Sequence, residues 1–205
     1  MNPIVAFRSR LMPVLAASCI FLIAGCGTSV ERMESGEVKD LSGAWNDTDS
    51  RLVSEEMIQD VLARDWLPEF TRVNKKKPAV IVGEVLNLSH EHLNVNTFTA
   101  DMERALINSG KVQFVASKTE RGEVREERKD QDLHAAEATR KAAGQEYGAD
   151  YMLKGTINTI IDTSGSSQVR YYQVDLTLIS LKDNVKAWVG QKKIKKLVKR
   201  GNLRN

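Results

Sequence analysis

The sequence predicts an α/β fold: a mixed sheet of four or five strands with an antiparallel C-terminal part, packed with helices. Three observations predict it. The dense apolar run Ala79-Val80-Ile81-Val82 reads as a strand covered on both faces. Phe98, Met102, Ala105 and Leu106 recur at helical spacing directly after it. Tyr172, Val174, Leu176 and Leu178 alternate with more polar neighbours, as a strand with one buried face does.

The chain starts with a segment that does not belong to the fold. Arg8 and Arg10 precede an apolar stretch over residues 11–22, which ends in Phe21-Leu22-Ile23-Ala24-Gly25-Cys26. Small residues before a cysteine, after a basic flank and an apolar core, form a lipobox, so residues 1–25 read as a lipoprotein signal peptide and Cys26 as the lipidation site. The apolar stretch is shorter than the roughly 20 residues that span a bilayer. Acyl chains on Cys26 would hold the protein to a membrane by about 0.8 kcal/mol per buried CH₂. Residue 27 is Gly and not the Asp that retains lipoproteins at the inner membrane of enteric bacteria. An outer-membrane anchor facing the periplasm is the expectation.

Residues 26–40 read as a lipid-anchored tether and residues 41–205 as one globular domain. From Gly27 on the tether is polar and without hydrophobic period, and its reach is at most about 50 Å. Within the domain, residues 41–50 form an irregular lead-in in which Asp49 or Ser50 is the expected cap of a helix starting near Arg51. Val53, Met57, Val61 and Leu62 give that helix an apolar stripe, and Pro68 is expected to stop its continuation. A strand over 79–88 follows, then a helix over 97–109 with Gly110 at its C′ position, then a short strand over 111–116. Strand, helix, strand makes a crossover unit. Residues 120–147 read as one broken or two consecutive helices ended by Gly148. Strands over 150–162 and 169–181 flank the turn cluster Thr163-Ser164-Gly165-Ser166-Ser167, and after a second turn at Lys182-Asp183-Asn184 a last strand runs over 186–194.

Composition excludes several functions. The 205-residue chain carries 30 basic and 27 acidic side chains, and the signal removes two of the basic ones, so a balanced mature protein gives no case for nucleic acid. Cys19 leaves with the signal and Cys26 takes the lipid, which leaves no thiol for a disulfide, a metal or catalysis. His90-Glu91-His92 would aim two imidazoles to one side of a strand and chelate a metal, but no further ligand accompanies them and solvated loop histidines are the plainer reading. The alternating charges of residues 120–132 suit an exposed helix laced by i,i+3 and i,i+4 pairs. No Gly-rich phosphate loop, nucleophile elbow or Ser-x-x-Lys pattern is present. No catalytic, cofactor or metal site is predicted. The C-terminal stretch holds Lys192, Lys193, Lys195, Lys196, Lys199, Arg200 and Arg204 without an acid. It attracts anionic surfaces, although a solvated edge strand with a frayed tail accounts for it more simply.

The lead-in Leu41-Ser42-Gly43-Ala44-Trp45-Asn46-Asp47-Thr48-Asp49-Ser50-Arg51-Leu52-Val53, the stretch 102–111 and Gly148-Ala149-Asp150-Tyr151-Met152-Leu153-Lys154-Gly155 carry a resemblance. Together with the lipobox and Tyr171-Tyr172-Gln173-Val174, they make the chain similar to the LpoB family of penicillin-binding protein activators over nearly all of its mature length. The resemblance implies an outer-membrane lipoprotein, itself no enzyme, that docks on a bifunctional penicillin-binding protein and stimulates its peptidoglycan synthesis. Gly43, Trp45, Asn46, Asp47 and Asp49 are the family-motif residues, expected to be structural; the partner-binding residues are not identified. Enteric members carry a long Pro-rich tether, whereas residues 27–40 contain no proline. The competing reading is a structural or assembly lipoprotein of the envelope with a Tol-like or secretion-channel-like domain, and a weaker third one is a metal-dependent enzyme using His90 and His92.

Cys26→Ala is expected to abolish acylation and to move the protein out of the outer-membrane fraction while leaving its fold unchanged. Mass spectrometry of the wild type and fractionation of the variant check this; a variant that stays membrane-bound contradicts the lipid anchor.

Overall fold

The structure, a computed structural model, describes residues 29–34, 36–141, 144 and 146–199. Cys26, Arg200 and Arg204 lie outside the described residues. The chain divides into two compact units, Met1–Glu37 and Val38–Asn205. The described part of the first contains no helix or strand. Everything below concerns the second.

Helix α1 spans Asp47–Leu62 and begins earlier than Arg51 because its cap is Asn46, not Asp49 or Ser50. Asn46 Oδ1 accepts the Asp49 N–H at 3.0 Å while Asp49 Oδ2 accepts the Asn46 N–H at 3.0 Å. This reciprocal pair is a capping box written in short side chains, and taking Asp49 alone as the cap overlooks its partner one turn upstream. Pro68 does not end α1 either. The helix stops at Leu62, and Pro68 lies in the first turn of α2, Trp66–Asn74, where a backbone N–H would have no intrahelical acceptor. Trp66 Nε1 donates to the Val61 carbonyl at 2.7 Å and so closes the corner between the two helices.

Strand β1, Ala79–Leu88, starts with four consecutive buried residues, as its apolar density requires. Helix α3, Val95–Asn108, turns Phe98, Met102 and Leu106 inward and ends at Gly110, whose φ of 63° gives the left-handed turn that terminates a helix. Strand β2 is only Gln113–Phe114, shorter than expected, because Ser117 already caps the next helix through its own box with Glu120. That helix, α4, is Lys118–His134 and buries no side chain. The described residues after it are not helical: Ala135 takes an extended conformation at ψ 152°, and the alanine-rich stretch, lacking larger apolar side chains, has nothing to hold a second helix down.

Strands β3, Tyr151–Ser164, β4, Ser167–Ser180, and β5, Lys186–Lys199, finish the domain. The sheet order is β2-β1-β3-β4-β5, with β1 parallel to both neighbours and the last three strands antiparallel. The mixed α/β sheet is therefore as the sequence predicts. Two corrections concern its ends. The β3–β4 turn tightens to Gly165-Ser166, with Gly165 at φ 56°. β5 continues past Ile194 to Lys199, because Lys195 through Lys199 stay paired with Tyr171 through Ser167. To that point the basic stretch is strand, not frayed tail.

Helices α1 and α3 pack together on one face of the sheet, α1 reaching β5 and α3 reaching β1. Between them and the sheet lies the core, with Val53, Met57, Phe98, Met102, Leu153 and Leu176 among its members. Asp60 on α1 accepts from Trp188 Nε1 on β5 at 2.8 Å, and the Trp188 ring lies where a Cβ on Gly190 would sit.

Gly155 in β3 has no room for a side chain: a Cβ there would stand 2.3 Å from the Asp175 carbonyl oxygen and 2.5 Å from Leu176 Cδ2. Gly155→Ala is expected to lower stability by about 2 kcal/mol or more, since backbone must move. Gly122 in the exposed helix α4 meets nothing within 4 Å, so Gly122→Ala is expected to raise stability by up to about 1 kcal/mol. Urea unfolding of both variants measures the contrast.

Candidate functional site

Two features stand out on this frame: a clasp that binds the lead-in to the sheet, and a broad sheet face that no described helix covers. In the clasp, Gly43 turns at φ 63° against Val198, so close that a Cβ would lie 2.2 Å from Val198 Cγ2. The Trp45 ring then packs edge-on to Phe98 and Tyr172, at centroid distances of 6.3 and 5.6 Å, while its Nε1 donates to Ser50 Oγ at 2.7 Å.

Glu91, in the bend after β1, gathers the polar groups. Its Oε2 accepts the Trp45 N–H at 3.0 Å, and its Oε1 accepts from the Tyr172 hydroxyl at 2.7 Å and from Arg170 Nη1 at 2.8 Å. The Tyr172 hydroxyl also lies 3.2 Å from the Gly43 carbonyl oxygen. Burial, and then the bond to Glu91, push this hydroxyl well above the ordinary tyrosine range, so it stays a neutral donor. On the other side of the lead-in, Lys196 Nζ from β5 reaches Asp49 Oδ2 at 2.6 Å, Asp40 Oδ1 at 2.7 Å and the Ala44 carbonyl at 3.2 Å. Burial works against the Lys196 ammonium, but its hydrogen bonds to Asp40 and Asp49 prevail and hold it above the usual lysine value. The hydrogen bond from Lys196 brings Asp40 below the usual aspartate value.

The clasp therefore brings together Gly43, Trp45, Asn46 and Asp49 of the family-motif residues. Asp47 stays exposed in the first turn of α1, where its charge faces the positive end of the helix. The clasp roles of Glu91, Arg170, Tyr172 and Lys196 escape sequence reasoning, because Glu91, Tyr172 and Lys196 meet the lead-in, and Arg170 meets Glu91, across gaps of many tens of residues that no local spacing signals. The triplet His90-Glu91-His92 draws attention to its histidines, yet the carboxylate between them does the joining. His90 lies in a bend, not on a strand, with its N–H on Thr159 Oγ1 at 3.1 Å and its Nδ1 3.0 Å from the same oxygen. Among the described residues no group of three or more His, Cys, Asp or Glu is placed to hold a metal.

The second feature is the face of β3, β4 and β5 turned away from α1 and α3. Strand pairing sets Ile160 beside Tyr171 and Tyr171 beside Lys195, Val169 beside Leu197, and Gln173 beside Lys193. Ile160 and Leu197 are exposed by 65% and 60%, far more than side chains under a helix. Asp175 orders the middle of this face by accepting from Gln173 Nε2 and Gln191 Nε2, each at 2.8 Å. Lys193, Lys195 and Lys199 make no ion pair among the described residues, whereas Lys192 pairs with Glu56 and Lys196 is held in the clasp.

The Val38–Asn205 unit is a small α/β domain whose lead-in is strapped onto the sheet, with one sheet face left open by the described residues. A profile of the family described as peptidoglycan-synthase activator LpoB matches residues 49–194, and the chain belongs to that family. Among solved structures it is similar to the LpoB C-terminal domain from Salmonella enterica, at 17% identity and a TM-score of 0.43, covering 72% of this chain and 99% of that one. The LpoB C-terminal domain from Escherichia coli matches at 15% identity and a TM-score of 0.45, with the same coverage of 72% and 99%. Lipoprotein GNA1162 from Neisseria meningitidis matches at 17% identity and a TM-score of 0.38, over 62% of this chain and 88% of that one. No curated protein matches the sequence.

Lys196→Met is expected to cost about 2 to 4 kcal/mol, because it leaves the buried Asp49 carboxylate without its cation; adding Asp49→Asn should recover part of the loss. The clasp also has a defined pH window. Asp40 is depressed below its ordinary 3.8, so its contribution is present above that value and fades as pH falls through the lower folded one. Lys196 is raised above its ordinary 10.5, so its contribution is present below that value and fades as pH rises through the higher folded one. The Trp45 indole resonance followed by pH titration should stay constant between these limits and shift outside them.

Proposed function

We propose that the protein is a non-enzymatic outer-membrane lipoprotein, anchored through Cys26 and facing the periplasm, that binds a bifunctional penicillin-binding protein and activates its peptidoglycan synthesis. Membership of the peptidoglycan-synthase activator family is the observation that carries this reading. The open face of β3–β5 is the docking surface in this reading. It offers apolar contact at Ile160, Tyr171 and Leu197 beside the ammonium groups of Lys193 and Lys195, which make no ion pair among the described residues, and this suits an acidic surface on the periplasmic part of the synthase.

Activation follows from binding that prefers the synthase's active conformation. A tenfold preference shifts the equilibrium by about 1.4 kcal/mol and needs no catalytic group on the activator. Residues 26–39, ahead of the clasp residue Asp40, serve as the tether, and their reach of at most about 50 Å limits where the partner can be met. Lengthening the segment after Gly27 costs about 0.6 kcal/mol per doubling in closure entropy, so a longer linker should be tolerated.

The test is glycan polymerisation by each purified bifunctional synthase of the source organism, with and without the soluble protein starting at Gly27. Stimulation is expected, and Lys193→Glu with Lys195→Glu should weaken binding about tenfold or more while leaving the fold intact. Absence of both binding and stimulation for every synthase would favour the assembly-lipoprotein alternative, which capture of an export complex from envelope extracts would support.

A further inference from the structure

At the end of the sheet remote from the clasp, α2 and the β4–β5 turn enclose an open cavity of about 740 Å³. At roughly 3.3 Å per residue, Thr159 at the clasp lies about 26 Å along β3 from Tyr151 in this cavity. Its floor is aromatic. Trp66 and Phe70 of α2 meet the Tyr151 ring edge-on, at centroid distances of 4.9 and 5.6 Å. Its walls carry the carboxylates of Asp65, Glu69, Asp150 and Asp183, with Lys182 the one basic lining residue among the described residues. Asp150 is engaged, accepting the Ala79 N–H at 2.8 Å and facing Lys76 at 3.6 Å, and Asp183 accepts the Val185 N–H at 3.3 Å. The side chains of Asp65 and Glu69 have no hydrogen-bond or ion-pair partner among the described residues and are exposed. Val73, Leu181 and Val185 form an apolar rim exposed by 61%, 44% and 57%.

A balanced chain thus sets two carboxylates, Asp65 and Glu69, that are unpaired among the described residues beside aromatic faces at one place. The molecule already shows what that combination attracts. Lys76 Nζ sits 5.8 Å from the Phe70 ring centroid and 5.4 Å from that of Tyr147, beside Asp150. Burial, followed by the facing carboxylates of Asp150, Asp183 and Glu69, raises the Tyr151 hydroxyl above its ordinary value, which marks the field that an incoming cation would meet.

We infer that this cavity is a second docking site, distinct from the open sheet face, for a basic peptide segment of a protein partner. One arginine or lysine side chain lies against Trp66, Phe70 and Tyr151, its charge met by Asp65 and Glu69, while apolar neighbours in the peptide cover Val73, Leu181 and Val185. Cation–π contact in a partly desolvated cavity, flanked by carboxylates, gives a preference that charge alone does not. The acidic side of α4 supplies the internal comparison, because Glu123, Glu126, Glu127 and Asp130 line a surface there without any aromatic residue.

The experiment titrates the ¹⁵N-labelled soluble protein starting at Gly27 with the peptide acetyl-Ala-Leu-Arg-Arg-Leu-Ala-amide, and with its citrulline counterpart. Shifts confined to the cavity residues, Trp66 indole included, are expected for the arginine peptide, with about tenfold weaker binding for citrulline. Asp65→Asn with Glu69→Gln, both on the exposed rim and harmless to folding, should weaken the arginine peptide about tenfold. Three results would overturn the proposal: no shift at millimolar peptide, equal binding by the rim variant, or shifts at α4 as large as those in the cavity. Because synthase stimulation is not part of the readout, its outcome is separable from the activator reading.

Discussion

Three hydrogen bonds converge on the carboxylate of Glu91, and the rest of the domain is arranged to supply them. The Trp45 amide comes from the lead-in, the Arg170 guanidinium and the Tyr172 hydroxyl from β4, and Glu91 itself from the bend between β1 and α3. A carboxylate with only 16% of its side chain exposed is tolerated because both of its oxygens are met, and removing one partner would leave charge in a poorly solvated place. The same requirement seats Trp45 against Phe98 and Tyr172, so a polar constraint organises an aromatic one. Lys196 repeats the logic from the opposite side, binding Asp40 and Asp49 and tying β5 to the start of α1.

The clasp also explains why the lead-in is ordered although it has no regular structure. Its side chains cannot form a core of their own, but each is tied to an element that does: Gly43 to Val198, Trp45 to α3 and β4, Asn46 to α1. The lead-in is thereby joined to the rest of the domain at one end of the sheet, with Asp40 already in contact with Lys196. Two surfaces are left available. An antiparallel sheet covered by helices on one side exposes its alternate residues on the other, and the gap beneath α2 opens where β3 begins and β4 ends. Their chemistries are opposite, lysine-rich on the sheet face and carboxylate-rich in the cavity, so they suit different partner surfaces.

Much of the fold was legible because apolar periodicity is local. The spacing of Phe98, Met102 and Leu106 and the alternation of Tyr172, Val174, Leu176 and Leu178 each identify an element and its buried face without knowledge of any neighbour. Boundaries were less legible where capping or pairing decided them. Asn46 rather than Asp49 caps α1, Pro68 begins a helix instead of ending one, and β5 outruns its apolar residues because β4 offers partners as far as Ser167. The alanine-rich stretch after α4 shows the converse, where helix propensity without a buried stripe did not make a helix among the described residues.

By itself, the sequence determined the mixed α/β class, the inward faces of its main elements and the likeness to the LpoB family, since each of these depends on residues close together in the chain. Only the tertiary structure decided that Glu91, and not its flanking histidines, is the residue on which the lead-in is fastened, and that Lys196 belongs to a partly buried ion cluster while Lys193 and Lys195 point to solvent. It also decided that Trp66, Phe70 and Tyr151 share one cavity with Asp65 and Glu69. The reason is physical: a strand places successive side chains on opposite faces, and which face is covered depends on helices contributed by a distant part of the chain.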